Sequence, residues 1–138
     1  MKRIIFCFIV GFLSVLVFHQ GLLSVFHALK LFPFAAFNFS PTEPLGVPAV
    51  ISSAFFGGLW GILLGWIVRN KSGPVFFIMC IALGSIFPTT VAMLVIFPMK
   101  GVAVKTFMVF IGIALNAAWG LGLALGLHFF LNSKDSLS

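Results

Sequence analysis

Four long apolar runs dominate the chain, and the short segments between and around them carry its charged residues. The runs cover about residues 4–29, 48–68, 74–97 and 106–131. A helix needs about 20 apolar residues to cross the hydrocarbon core of a bilayer. The sequence therefore predicts an all-α integral membrane protein, a four-transmembrane-helix bundle that forms a single membrane domain. The first run extends beyond the apolar core of a secretory signal peptide and no small-x-small site follows it, so we expect it to be retained.

Composition excludes a water-soluble domain and a nucleic-acid-binding role. The apolar fraction is 62% and the charged fraction 7%, whereas soluble domains carry about 25% charged residues. The net charge is +6, but the basic residues stand singly or in pairs instead of forming one basic face. Nucleic-acid binding requires such a face. We therefore expect the lipid bilayer, and not a nucleic acid, to be the main partner.

Glycines at regular spacing predict close contacts between helices. In lipid, helices associate through van der Waals packing, and small residues let two backbones approach closely. Every fourth residue is a glycine in part of the second span, which puts these glycines on one helix face and predicts that this span is the central packing post. Glycines on two faces of the fourth span predict packing on two sides. The glycines expected at helix contacts are Gly57, Gly61, Gly65, Gly112, Gly120 and Gly122.

Residues 30–47 form the longest segment outside the apolar runs. Their high proline content excludes a regular helix, but several phenylalanines keep the segment apolar. We expect a re-entrant or interfacial loop. The short hydrophilic turn at 69–74 predicts that spans two and three are antiparallel neighbours, and residues 132–138 form a polar tail.

The two halves of the chain resemble each other weakly. Phe32-Pro33 corresponds to Phe97-Pro98, and Trp60-Gly61 corresponds to Trp119-Gly120. The pattern indicates two pseudo-repeated helical hairpins, although biased composition alone could produce it.

The positive-inside rule predicts cytoplasmic N- and C-termini. This orientation places five basic residues inside and three outside. The inner set is Lys2, Arg3, Arg69, Lys71 and Lys134, and the outer set is Lys30, Lys100 and Lys105.

Polar residues inside the spans predict one outward-facing cavity. Polar side chains are costly in lipid and tend to face the bundle interior or a wet cavity. Pro88 removes one helix hydrogen bond and predicts a hinge beside the cavity. The alternative is a set of interhelical hydrogen bonds that only stabilise packing, each contributing about 0.6 kcal/mol. The predicted cavity residues are His19, Gln20, Ser85, Thr89 and Asn116.

Histidines raise two further possibilities. His27 and Glu43 form a candidate pH-sensitive pair, because a carboxylate stabilises a protonated imidazole. His19 and His27 are about 12 Å apart along one helix, too far to share one zinc ion. We therefore expect no metal or cofactor within one chain, while a site between subunits stays open.

No catalytic triad, carboxylate pair or phosphate-binding loop occurs, so we expect no enzyme. The segments Phe18–Gln20, Pro41–Pro48 with Phe56–Gly61, and Asn116–Gly120 resemble small bacterial inner-membrane proteins of unknown function. The resemblance covers most of the chain and implies an inner-membrane location without a particular activity.

The span lengths also resemble those of fluoride channels and small multidrug transporters. The chain lacks the early Gly-Arg signature of the first family and the intramembrane glutamate of the second. Two hypotheses remain: an oligomeric channel or transporter for a small solute or ion, and an assembly subunit that contacts a larger membrane complex through its glycine strips.

Overall fold

The computed structural model describes the backbone of residues 1–135 and the side chains of residues 1–130. Within this part, four long helices pack as a bundle: α1 (Lys2–Ala28), α2 (Ala49–Ile67), α3 (Gly73–Met99) and α4 (Thr106–Asp135). All four are long and apolar enough to cross a membrane. The predicted fold class is therefore confirmed.

Most helix ends lie within two residues of the prediction, and the largest difference is at the end of α4. The helix α4 continues to Asp135, so the first part of the expected polar tail is helical. The rest of that tail, residues 136–138, and the side chain of Lys134 lie outside the described residues. At the start of α3, Pro74 occupies the first turn, where its missing N–H leaves no helix bond unmade.

Two of the helices change their winding within the bundle. The five residues Val15–His19 of α1 and Ala92–Ile96 of α3 form π-helix. Segments of π-helix are rare in proteins, and those that occur are often at functional sites. The second of these segments begins four residues after Pro88, which lies inside α3.

The bundle consists of two tight pairs, α1 with α2 and α3 with α4. The helices α1 and α4 join the pairs, whereas the contacts between α2 and α3 are few. The expectation that α2 is the central post is therefore wrong, and the short 69–74 turn does not make α2 and α3 close neighbours. The glycine pattern identified a contact face on α2 correctly but could not show that α2 packs mainly against one helix.

Both pairs use the same kind of backbone contact. A Cβ atom added to Gly61 would lie 2.5 Å from the carbonyl oxygen of Cys7 and 3.0 Å from Cα of Gly11. A Cβ atom added to Gly120 would lie 2.5 Å from the carbonyl oxygen of Cys80. No side chain fits at such distances, so glycine allows the two backbones to touch.

These contacts correspond between the two hairpins. Cys7 and Gly11 of α1 match Cys80 and Gly84 of α3 in spacing, and a Cβ at Gly84 would lie 3.1 Å from Cα of Gly120. The correspondence agrees with the weak internal similarity of the sequence. The sequence analysis did not predict Gly11 and Gly84 as contact residues. The pattern that could have indicated them is a small residue, Cys7 or Cys80, four positions earlier in the same helix.

The remaining predicted glycines also face other helices of this chain. Gly57 contacts the side chain of Val15, Gly65 contacts Sγ of Cys7, Gly112 contacts the methyl group of Met93 and Gly122 contacts the ring of Phe18.

Trp119 forms the centre of the contact between α1 and α4. Only 2% of its surface is exposed, and its Nε1–H donates to the carbonyl oxygen of Gly11 at 2.9 Å. A polar N–H in the middle of an apolar span needs a partner. The sequence analysis did not use this requirement, which could have indicated that Trp119 faces another helix.

The 30–47 loop folds back onto one end of the bundle. Within it, β1 (Pro41–Thr42) and β2 (Val47–Pro48) form a short antiparallel ribbon. Backbone bonds from Ala49 N to Ser40 O and from Val50 N to Asn38 O, both 2.9 Å, join the loop to the start of α2.

Candidate functional site

A cavity of about 370 Å³ lies at the end of the bundle that carries the 30–47 loop. All four helices and the loop contribute to its wall. We call it the loop-side cavity. The polar and charged residues that line it are His19, Gln20, Asn38, Ser53, Lys100 and Asn116. Its volume lies in the range of small-molecule sites, about 300–1,000 Å³.

His19 is the last residue of the π segment in α1 and lines the loop-side cavity. Its Nδ1 atom is buried and has no hydrogen-bond partner in the part of the chain that the structure describes. A buried polar atom without a partner costs about 1–3 kcal/mol. The residue therefore lines the cavity, while this one nitrogen of its ring is closed off from it.

Gln20 connects α1 to the covering loop. Its side chain is buried, and its Oε1 accepts a 2.8 Å hydrogen bond from the backbone N–H of Phe37. Phe37 has a φ of 53°, a left-handed conformation that is uncommon for a large side chain. The Gln20 bond holds the loop in this conformation across the cavity.

Asn116 and Thr89 form an interhelical hydrogen bond. Asn116 Nδ2 donates to Thr89 Oγ1 at 2.9 Å, which joins α4 to α3. Asn116 also lines the loop-side cavity, whereas Thr89, a predicted cavity residue, is buried and is not among the lining residues. The sequence analysis offered a polar cavity or interhelical packing bonds as alternatives. Here one hydrogen bond joins two helices and also positions a side chain of the cavity wall.

Ser85 does not belong to the cavity wall. It is buried, and its Oγ donates to the carbonyl oxygen of Ala82 at 2.9 Å. Thr90 likewise donates to Ile86. In the described residues, neither hydroxyl reaches the carbonyl of Gly84, which Pro88 leaves without its usual helix donor.

The structure does not bring His27 and Glu43 together. His27 Nδ1 lies 3.3 Å from the carbonyl oxygen of Phe32, and both His27 and Glu43 are exposed. No ion pair joins them in the described part of the chain. Their proposed pairing therefore has no geometric support here.

The charge of the cavity wall is positive. Lys100 is the one charged residue among the residues that line the loop-side cavity, and no carboxylate is among them. The wall also contains amides from Asn38 and Asn116 and the hydroxyl of Ser53. The sequence analysis missed Asn38, Ser53 and Lys100, because their contribution depends on how the loop and the helix ends fold over the cavity.

Metal ligation has no obvious site. Among the residues that the structure describes, no group of three histidine, cysteine, aspartate or glutamate side chains is placed to hold an ion. The two cysteines, Cys7 and Cys80, are buried free thiols.

These features define a four-span helical membrane protein with a partly polar cavity at one end of the bundle. No protein-family model, curated protein or solved structure matches the chain. Functional inference therefore depends on the geometry of the site.

Proposed function

We propose that the protein is a channel or transporter for a small solute or ion, and that the loop-side cavity is its binding site. The observation that carries this proposal is the polar lining of the cavity, to which His19, Lys100 and Asn116 contribute, together with a His19 ring nitrogen, Nδ1, that is buried without a partner in the described part of the chain. A residue needed only for packing would have its polar atom satisfied within the protein. A turn of the His19 ring toward the cavity would let a bound solute or water supply the missing partner.

The wall chemistry favours a neutral or anionic solute. Lys100 contributes a positive charge, and Asn38 and Asn116 contribute amides that donate and accept hydrogen bonds. A bound cation would find no carboxylate among the lining residues. The same lack of acids argues against proton coupling through a membrane carboxylate, and we propose no enzymatic activity.

The proposed setting is the bacterial inner membrane, with both termini cytoplasmic. Five basic residues against three support this orientation, which makes the loop-side cavity face outward. A homo-oligomer is part of the proposal, because four helices alone enclose a small space.

The test measures solute entry into proteoliposomes by light scattering. The probes are glycerol, urea and, with valinomycin present, potassium chloride. We expect the wild-type protein to accelerate entry of at least one probe, and His19→Leu to reduce that rate at least tenfold. His27→Leu is the matched control, because it makes the same change on the same helix outside the cavity wall.

Two results would overturn the proposal. One is a wild-type protein that admits all three probes no faster than empty liposomes. The other is a folded His19→Leu protein that transports as well as the wild type.

An assembly subunit is the alternative function. Its contact surface would have to differ from the one expected in the sequence, because the six predicted glycines contact helices of their own chain. Purification in mild detergent distinguishes the two, since a subunit would copurify with a different membrane protein.

A further inference from the structure

A second concave surface lies between α1 and α2, at the opposite end of the bundle from the 30–47 loop. It is a groove of about 390 Å³, and we call it the arginine groove. Arg3 and Arg69 line it, and the other lining residues are Ile4, Cys7, Leu59, Ile62, Leu63 and Trp66. Two cations therefore share a groove whose remaining wall is apolar.

The two arginines are positioned by the protein and keep donors for a further partner. Arg3 Nη2 donates to the carbonyl oxygen of Gly65 at 3.2 Å. The Arg69 guanidinium lies 4.5 Å from the Trp66 ring centroid, and its Nη1 donates to the Trp66 carbonyl oxygen at 3.0 Å. A guanidinium has five N–H donors, so most remain for a ligand. In the part of the chain that the structure describes, neither arginine forms an ion pair with a carboxylate.

The arginine groove runs along the helices within the depth of one lipid leaflet. Both arginines lie at the ends of spans, where headgroups are found, and Trp66 is exposed beside them as in an interfacial aromatic belt. Leu59 precedes Trp66 by seven residues in the same helix, or about 10 Å along its axis. One leaflet of a 30 Å hydrocarbon core is about 15 Å deep. The apolar wall thus extends from the headgroup level toward the midplane.

We propose that the arginine groove binds one anionic phospholipid from the leaflet on the N-terminal side. Arg3 and Arg69 hold the phosphate, since guanidinium groups form charge-assisted hydrogen bonds to phosphate oxygens. One acyl chain lies along Leu59, Ile62 and Leu63. Basic pockets between transmembrane helices are suited to anionic headgroups, and the shape of the groove selects a ligand that has both a charge and a chain.

The test compares thermal unfolding of the delipidated protein in neutral detergent after addition of three probes. These are phosphatidylglycerol, phosphatidylcholine with the same acyl chains, and inorganic phosphate. We expect phosphatidylglycerol to raise the unfolding temperature by several degrees more than phosphatidylcholine, and phosphate alone to have no effect. Native mass spectrometry should show one retained phosphatidylglycerol per chain.

Two variants separate the headgroup from the chain. Arg69→Gln removes one charge from an exposed side chain, and Leu63→Trp fills part of the groove while both arginines are kept. Each should remove at least half of the excess stabilisation by phosphatidylglycerol. Lys105→Gln is the charge-matched control at the other end of the bundle and should keep it.

The proposal is overturned if the two lipids stabilise the wild-type protein equally, or if phosphate reproduces the effect of phosphatidylglycerol. It is also overturned if either Arg69→Gln or Leu63→Trp keeps the full excess, because each tests one half of the site.

Discussion

Gly61 is the position where a single methyl group should disturb the fold most clearly. An added Cβ would lie 2.5 Å from the Cys7 carbonyl oxygen and 3.0 Å from Gly11 Cα, and both are backbone atoms of α1. Neither can rotate away as a flexible side chain would. Since non-bonded heavy atoms pack at about 3.5–4.0 Å, α1 and α2 would have to separate by about 1 Å.

The cost can be estimated from overpacking in other proteins. Extra methyl groups in a tightly packed contact destabilise by about 1–3 kcal/mol. Part of this cost is offset, because alanine is favoured over glycine within a helix by about 1 kcal/mol. Because both close atoms belong to the backbone, the cost lies at the upper end of that range, and we expect Gly61→Ala to lower the free energy of unfolding by about 2 kcal/mol after this offset.

The assay is reversible unfolding in mixed micelles as the fraction of denaturing detergent increases. Gly21→Ala is the matched control, because a Cβ at Gly21 meets no atom within 4 Å. The control should leave stability unchanged or raise it by up to about 1 kcal/mol. If Gly61→Ala is as stable as Gly21→Ala, the close approach of the α1 and α2 backbones is not what stabilises this pair.

Three further predictions follow from contacts in the bundle. Gly120→Ala should destabilise about as much as Gly61→Ala, because its Cβ would also lie 2.5 Å from a backbone carbonyl oxygen; equal stability to the wild type would contradict this. Trp119→Phe removes the bond to Gly11 and should lower the free energy of unfolding by about 0.6–1.7 kcal/mol for that bond alone, measured in the same micelles. Gln20→Leu removes the acceptor of the Phe37 N–H, so hydrogen exchange at that amide should accelerate at least tenfold, and unchanged exchange would show that the loop is held by other contacts.

The candidate site shows where reasoning from the sequence reached its limit. His19, Gln20 and Asn116 could be grouped because each is a polar residue at similar depth in an apolar span. That argument could not separate Asn116, which lines the loop-side cavity, from Ser85, which bonds within its own helix. Depth follows from position in the helix, but the direction of a side chain depends on how the helix is rotated in the bundle, which depth does not determine.

The four spans were determined by the sequence itself. A bilayer imposes one length and one solvent on each segment, so a local count of apolar residues is sufficient. The sequence also predicted that Gly61 lies at a close helix contact, because glycines along one face of a membrane helix allow two backbones to approach.

The choice of partners was decided only by the tertiary structure. The strip on α2 could have faced α1, α3 or α4, and it packs against Cys7 and Gly11 of α1. Likewise, the loop covers the cavity because Gln20 binds Phe37, a contact across 17 positions of the chain. Lipid gives little preference among apolar faces, so the pairing depends on how well two whole surfaces fit, and that fit is not encoded in any single segment.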